Sequence, residues 1–350
     1  MSKRTLESFY KTVSSKKLKL DEPEPLESTS TSTSFSHHPN YPHPIAHLSP
    51  SIANPLASIK ESQFKRITNQ PHLDLLYYHP LIPSPTARDL FQFLRGELPF
   101  YRVQYTIRRG GQTQIINTPR FTTVFGVDET SQFIPSQSRG LNDGSSPDGA
   151  DADADAPETL TLVDVKTHRP VPESKYQYRP RPIPSCLDQL RKHVEAAIGD
   201  GSTYNFCLVN YYATGDDSIS YHSDDERFLG ANPSIASISL GAQRDFLLRH
   251  KPSPGVSNQP MKFALASGDM VVMRGETQSN WNHSVPKRRG GEAHKGRINI
   301  TFRKAVVPGG TDNYYNYNVG SGIVYRWDEK EGKMVSQSAK SQAGSADGIN

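Results

Sequence analysis

The stretch RINITFR, Arg297–Arg303, decides how this chain is read. Ile298, Ile300 and Phe302 alternate with Arg297, Asn299, Thr301 and Arg303. Successive side chains of a strand point to opposite faces, so one face is wholly apolar and the other wholly polar, with an arginine at each end. Taken alone, the pattern describes a half-exposed strand whose polar face meets water. What surrounds it changes that reading.

Upstream, strand signals recur at short intervals: YNFCLVNYY, SISYH, SIASISLG, DFLLRH, MKFALA and MVVMR. Runs of short strands separated by turn residues predict an all-β sandwich or jelly roll. Helices precede it. SPTARDLFQFLRGEL carries Leu90, Phe91 and Leu94 at helical spacing, and CLDQLRKHVEAAIG puts Leu187, Leu190, Val194 and Ala197 on one face with a glycine after its end. Between the helices, FYRVQYTIRRGGQTQIINTPRFTTVFG reads as β-hairpins with Gly110 and Gly111 at one turn.

Only 34% of the 350 residues are hydrophobic, which points to unstructured segments diluting an ordinary core. Residues 21–65, rich in Ser, Thr, Pro and His, read as a disordered linker after a basic N-terminal peptide, 1–20. The acidic insert 140–157 reads as a surface loop between two strands. Residues 306–331 form a C-terminal extension, and 332–350 a disordered tail. The folded domain is expected over 81–305. A net charge of +4 permits a nucleic-acid partner without requiring one. Two cysteines, Cys186 and Cys207, are too few for a disulfide framework and fit a reducing compartment. No apolar run is long enough to span a membrane, and the N-terminus lacks an apolar signal core, so a soluble intracellular protein is expected.

Alternation recurs where chemistry is expected. Asn210 and Tyr212 share one face of their strand. In YHSDDE, Tyr221–Glu226, His222 and Asp224 share another, and SNWNHSVPK adds His283. Two imidazoles and a carboxylate in the order His-x-Asp…His match the facial triad of non-heme iron(II) oxygenases, which leaves coordination positions open for a co-substrate and O2. Alone, a surface HxD or a hydrogen-bonded structural histidine explains each part; together with the RxNxTxR strand the combination is far more specific. Zinc is the rival metal, although no cysteine or third nearby histidine supports a closed structural site. Enzymes of this kind often use 2-oxoglutarate, and a diacid in an apolar barrel calls for a guanidinium. Arg297 and Arg303 are six residues apart, about 20 Å along an extended strand, so both touch one diacid only if their side chains lean together.

These motifs, from about Leu81 to Lys304 and most strongly from Phe206 onward, resemble the AlkB family of iron(II)- and 2-oxoglutarate-dependent dioxygenases, in particular its eukaryotic nuclear DNA alkylation-repair branch. The resemblance implies a mainly β (α+β) fold: a double-stranded β-helix (jelly roll) core with flanking helices and an N-terminal nucleotide-recognition hairpin region. It implies that His222, Asp224 and His283 bind Fe(II), and that Asn210, Tyr212, Arg297, Asn299 and Arg303 hold 2-oxoglutarate, Arg297 at the far carboxylate and Arg303 at the one near iron. With O2 as second co-substrate, the implied reaction is oxidative demethylation of 1-methyladenine and 3-methylcytosine in single- or double-stranded DNA, releasing formaldehyde, succinate and CO2. RNA demethylation by the same chemistry and protein hydroxylation are the alternatives.

Both lesions are cationic, so a carboxylate beside the flipped base would favour them. Asp225 is the expected contact, with Glu226 beside it; the competing reading is that both only orient His222 or Arg227. Tyr176 and Tyr178 of YQY match the position of substrate-pocket aromatics and are expected on a strand at the cavity mouth, with plain sheet packing as the alternative. Arg108, Arg109 and Arg120 lie in the hairpin region as phosphate contacts or solvated tips. At the N-terminus, TLESFY resembles a sliding-clamp-binding peptide with Leu6, Phe9 and Tyr10 as its plug, although Lys3 stands in place of the usual glutamine. KKLKL after it fits a nuclear localisation signal. A monomer in the nucleus is expected.

Overall fold

Arg297–Arg303 lies near the middle of a ten-stranded antiparallel sheet, between Phe206–Tyr212 and Ile235–Gly241. The computed structural model describes residues 34–59, 63–136, 160–315 and 319–337. Beyond Phe206–Tyr212 the sheet continues through the hairpin Phe100–Arg109 and Gln112–Gly126 to Val324–Asp328 and Lys333–Ser336. On the other side it runs through Met270–Arg274 and Asp74–Tyr78 to Phe64–Ile67. A four-stranded sheet, in the order Ile219–His222, Trp281–Val285, Arg244–His250 and Met261–Leu265, completes a mainly β jelly roll.

The period of two sorts side chains into two cores. Ile298, Ile300 and Phe302 pack with Val209, Leu90 and Leu190 from the neighbouring strand and the helices Ser84–Glu97 and Ser185–Ile198. On the opposite face, Phe206, Leu208 and Tyr212 meet Phe246, Leu248 and Val285 of the smaller sheet. Each such side chain, fully buried, contributes about 1.5–3 kcal/mol. The long sheet is therefore covered by helices on one face and by the small sheet on the other. All seven residues of Arg297–Arg303 are buried. Their polar face meets a cavity, not bulk water.

The helix Ser185–Ile198 ends at Gly199, whose φ of 65° is the left-handed cap its sequence predicts. Gly110 and Gly111, at φ 59° and 79°, turn the long hairpin, leaving Tyr105 and Ile115 exposed on its outer half.

Two expectations fail. Within the supposed linker 21–65, Phe35–Ser36 pairs with Ile45–Ala46, and Pro50–Ala57 is a helix. Ile45, Leu48, Ile52 and Leu56 are buried in the helix-side core. Tyr41 and Asn40 donate hydrogen bonds to the carbonyls of Pro182 and Pro180 at 2.7 and 2.8 Å. A few well-spaced apolar residues and side-chain hydrogen bonds hold what composition alone assigns to disorder. In the supposed tail, Lys333–Ser336 is a strand paired with Val324–Asp328. The strands Ser131–Pro135 and Leu160–Asp164 pair across the acidic insert, which lies outside the described residues, as does the N-terminal peptide with Leu6, Phe9 and Tyr10.

Candidate active site

The smaller sheet sets His222 and His283 directly opposite each other on adjacent antiparallel strands, ring centroids 4.2 Å apart. Asp224 follows two residues after His222, and its backbone N–H donates to Gln278 Oε1 at 2.9 Å. One carboxylate oxygen lies 3.8 Å from His222 Nε2 and the other 3.9 Å from His283 Nε2. The three ligating atoms all lie within 4.8 Å of one another. His222 Nδ1 sits 2.9 Å from the Ser220 carbonyl. A carbonyl only accepts, so Nδ1 carries a proton, which leaves Nε2 as the nitrogen on the carboxylate side to serve as the metal ligand.

The opposite wall is the polar face of the long sheet. Arg297, Asn299, Thr301 and Arg303 line the cavity, whose volume is about 200 Å³. Burial pushes the Asp224 carboxyl upward, but the charge and hydrogen bond of Arg303, with help from the His283 and His222 rings, outweigh it and hold it below the usual carboxylate range. Arg303 Nη2 donates to Asp224 Oδ2 at 2.9 Å. Burial drives the His283 imidazole down to about 3 against the pull of Asp224, so it is neutral, with a lone pair to give.

Arg297 is the outstanding group. It is 1% exposed, donates one bond, Nη2 to Ser239 Oγ at 2.8 Å, and leaves Nε and Nη1 without partners. Burial brings its guanidinium down to about 10. A buried cation with two unused donors is complete only when an acidic ligand meets it. This fits 2-oxoglutarate, and two imidazoles with one carboxylate fit iron(II).

The sequence model of the 2OG-Fe(II) oxygenase superfamily matches residues 135–303. The human DNA oxidative demethylase ALKBH2 is 41% identical over 125 residues, covering 35% of this chain and 46% of that protein. The rat alpha-ketoglutarate-dependent dioxygenase alkB homolog 3 is 42% identical over 108 residues, 29% of this chain and 36% of that one. Over these residues the chain is similar to the AlkB-type 2OG-Fe(II) oxygenases. It spans less than half the length of these relatives. The Arabidopsis thaliana ALKBH2 gives a similar match, 38% over 122 residues, covering 29% of this chain and 38% of that protein. A solved structure titled "The structure of OsALKBH1" aligns over 69% of this chain and all of that one, with 16% identity and a TM-score of 0.38, too loose a likeness to add to the argument.

Asn210, Tyr212, Arg120 and Glu226 line the same cavity as the triad. Arg120 donates to Asn210 Oδ1 at 3.1 Å and to the Ser218 carbonyl at 3.4 Å, so it is fastened at the cavity wall and not carried on a free hairpin tip. Arg108 is exposed on the hairpin, and the side chain of Arg109 lies outside the described residues. Three substrate expectations need correction. Asp225 is half exposed, pairs with Lys251 at 2.9 Å and is not in the cavity lining; Glu226 is the carboxylate that reaches it. Neither Tyr176 nor Tyr178 lies on a strand. Tyr176 is buried, its hydroxyl 2.9 Å from both Asp128 and Ser131, and Tyr178 lines a separate cavity of about 470 Å³ with Tyr41, Arg181 and Tyr315.

Sequence reasoning missed Tyr314, which follows the last core strand and lines the cavity. The signal available was its setting: NYYNYN is dense in aromatics within an otherwise polar extension.

Proposed function

We propose that the protein is an iron(II)- and 2-oxoglutarate-dependent demethylase of N-alkylated bases in DNA, with 1-methyladenine and 3-methylcytosine as substrates. The observation that carries the substrate class is Glu226. Its carboxylate lines the cavity beside the triad, and its Oε2 is buried without a donor. A cationic base with an amino group on its pairing edge supplies both the charge and the donor. The names of the ALKBH2 relatives, DNA oxidative demethylases, support the reaction class.

Each group then has a task. His222, Asp224 and His283 would hold the metal, with Arg303 keeping the Asp224 carboxylate charged and oriented. Arg297 would pair with the far carboxylate of 2-oxoglutarate. Asn210 and Tyr212 would line the bed of that diacid, and Asn299, bonded to Ser237 Oγ at 2.8 Å, would stiffen it. Bound iron with 2-oxoglutarate and O2 would supply the oxidising power that hydroxylates the N-methyl carbon, after which formaldehyde leaves. The outer hairpin, with Tyr105, Arg108 and Ile115 exposed, would meet the nucleic acid. A nuclear location rests on the basic N-terminal stretch. Among the described residues, no helix is long and apolar enough to cross a membrane.

Anaerobic loading with Fe(II) and 2-oxoglutarate, followed by air and a single-stranded oligonucleotide carrying one 1-methyladenine, tests the reading. Stoichiometric formaldehyde and succinate, absent in His222→Ala, are expected. Succinate without formaldehyde would redirect the search to RNA or protein substrates; neither product from folded, iron-loaded protein would end the enzyme reading.

A further inference from the structure

The Glu226 carboxylate does not hold its own position. Tyr314 Oη donates to Glu226 Oε1 at 2.5 Å, and Arg303 Nη1 donates to Tyr314 Oη. The direction of this chain is fixed. A guanidinium only donates, so the tyrosine oxygen accepts from Arg303 and its one proton goes to Glu226. With Oε1 taken, Oε2 is left buried and without a partner.

Tyr314 is itself held firmly. Its ring packs against Phe206 and Phe228, centroids 5.2 and 5.7 Å away. Gly310 lets the extension close onto Phe228, because a Cβ there would lie 2.2 Å from Phe228 Cβ. The Gly309 N–H donates to Asp128 at 3.0 Å, and Tyr315 Oη donates to the Gly126 carbonyl at 3.2 Å. The segment is fastened on both sides of Tyr314.

We infer that Tyr314 is a positioning residue for substrate selection: it turns the Glu226 carboxylate so that Oε2 alone is offered to the base. The inference rests on the nucleobase reading above. A carboxylate oxygen fixed this way accepts from the exocyclic amino group of 1-methyladenine or 3-methylcytosine. It repels 3-methylthymine and 1-methylguanine, which present a carbonyl oxygen at the corresponding place. The C-terminal extension thereby becomes part of the specificity apparatus.

Tyr314→Phe removes one oxygen and keeps the stacked ring. The full-length protein, loaded with Fe(II) and 2-oxoglutarate, is measured in two ways on single-stranded oligonucleotides carrying 1-methyladenine or 3-methylthymine. One is anaerobic binding by fluorescence anisotropy; the other is KM and kcat in air. In Tyr314→Phe, Kd and KM for 1-methyladenine are expected to rise about tenfold, the size of one charge-assisted hydrogen bond, with little change for 3-methylthymine. Glu226→Gln is expected to lose the same preference, and the double variant to be no worse than Glu226→Gln alone. A Tyr314→Phe protein that keeps the wild-type preference while Glu226→Gln loses it overturns the role of Tyr314 and leaves the proposed function standing. A wild-type protein that binds neither lesion above an unmodified strand overturns both.

Discussion

Two arginines six residues apart on one strand have opposite states in this protein. Arg303 has both terminal nitrogens engaged, by Asp224 and Tyr314, and leaves only Nε without a partner, whereas Arg297 leaves Nε and Nη1. Their substitutions should therefore fail differently. Arg303→Met leaves Asp224 buried without its counter-charge, and removing one partner of a buried pair costs about 3–5 kcal/mol. A loss of that order in denaturant melts of the metal-free protein is expected, together with weakened iron binding. Arg297→Lys keeps the charge but loses the planar fork. It should raise KM for 2-oxoglutarate about tenfold or more with a smaller change in kcat, and leave thermal stability close to wild type. At this scale the sequence was readable where function needs a fixed residue order, as in His-x-Asp and RxNxTxR. Asp225 and Glu226, as adjacent carboxylates, are equivalent in a sequence; only the fold turns one to Lys251 and the other to the cavity.

At the scale of elements, the strap formed by Phe35–Ser36, Ile45–Ala46 and Pro50–Ala57 carries an acid sensitivity. Burial lowers His38 to about 4, and it also lowers His43 and His47. His38 packs tilted against Tyr41 and edge-on to Phe133, and accepts from the Asn40 N–H. His43 meets the Glu97 carbonyl with the Glu97 and Arg326 charges nearby, and His47 faces Ser34 and His37. These histidines have folded pKa values below their unfolded ones. As pH falls below about 6.5 the unfolded strap takes up protons that the folded strap refuses, so docking weakens from there down to about 4. Limited proteolysis should release the strap faster at about pH 5 than at about pH 7.5, with a shallower dependence in His38→Phe. An unchanged cleavage rate across that range would refute it. The strap was illegible because Ile45, Leu48, Ile52 and Leu56 are spread among Ser, Pro and His, and their burial depends on helices far along the chain. Arg297–Arg303 was legible because its alternation is unbroken, although the sequence leaves open whether the polar face meets water or a ligand.

For the whole molecule, the N-terminal peptide and the oxygenase domain are expected to act separately. Phe9→Ala combined with Tyr10→Ala should abolish binding to a sliding clamp in a pull-down and leave demethylation of a short oligonucleotide intact; clamp binding that survives the change would remove the peptide from the functional account. The jelly roll was foreseeable from strand spacing, but the contribution of the C-terminal extension was not. Val324–Asp328 pairs with the root of the long hairpin, Val324 opposite Tyr101 and Tyr325 opposite Phe100, while Tyr314 closes the cavity wall. This has a consequence for biogenesis. A ribosome delivers the metal ligands, residues 222–283, well before Tyr314 or the strand that braces the hairpin. A nascent chain stalled between them would carry the three candidate iron ligands and Glu226 without the tyrosine proposed to aim that carboxylate. Metal loading late in synthesis, or after release, would avoid that incomplete site.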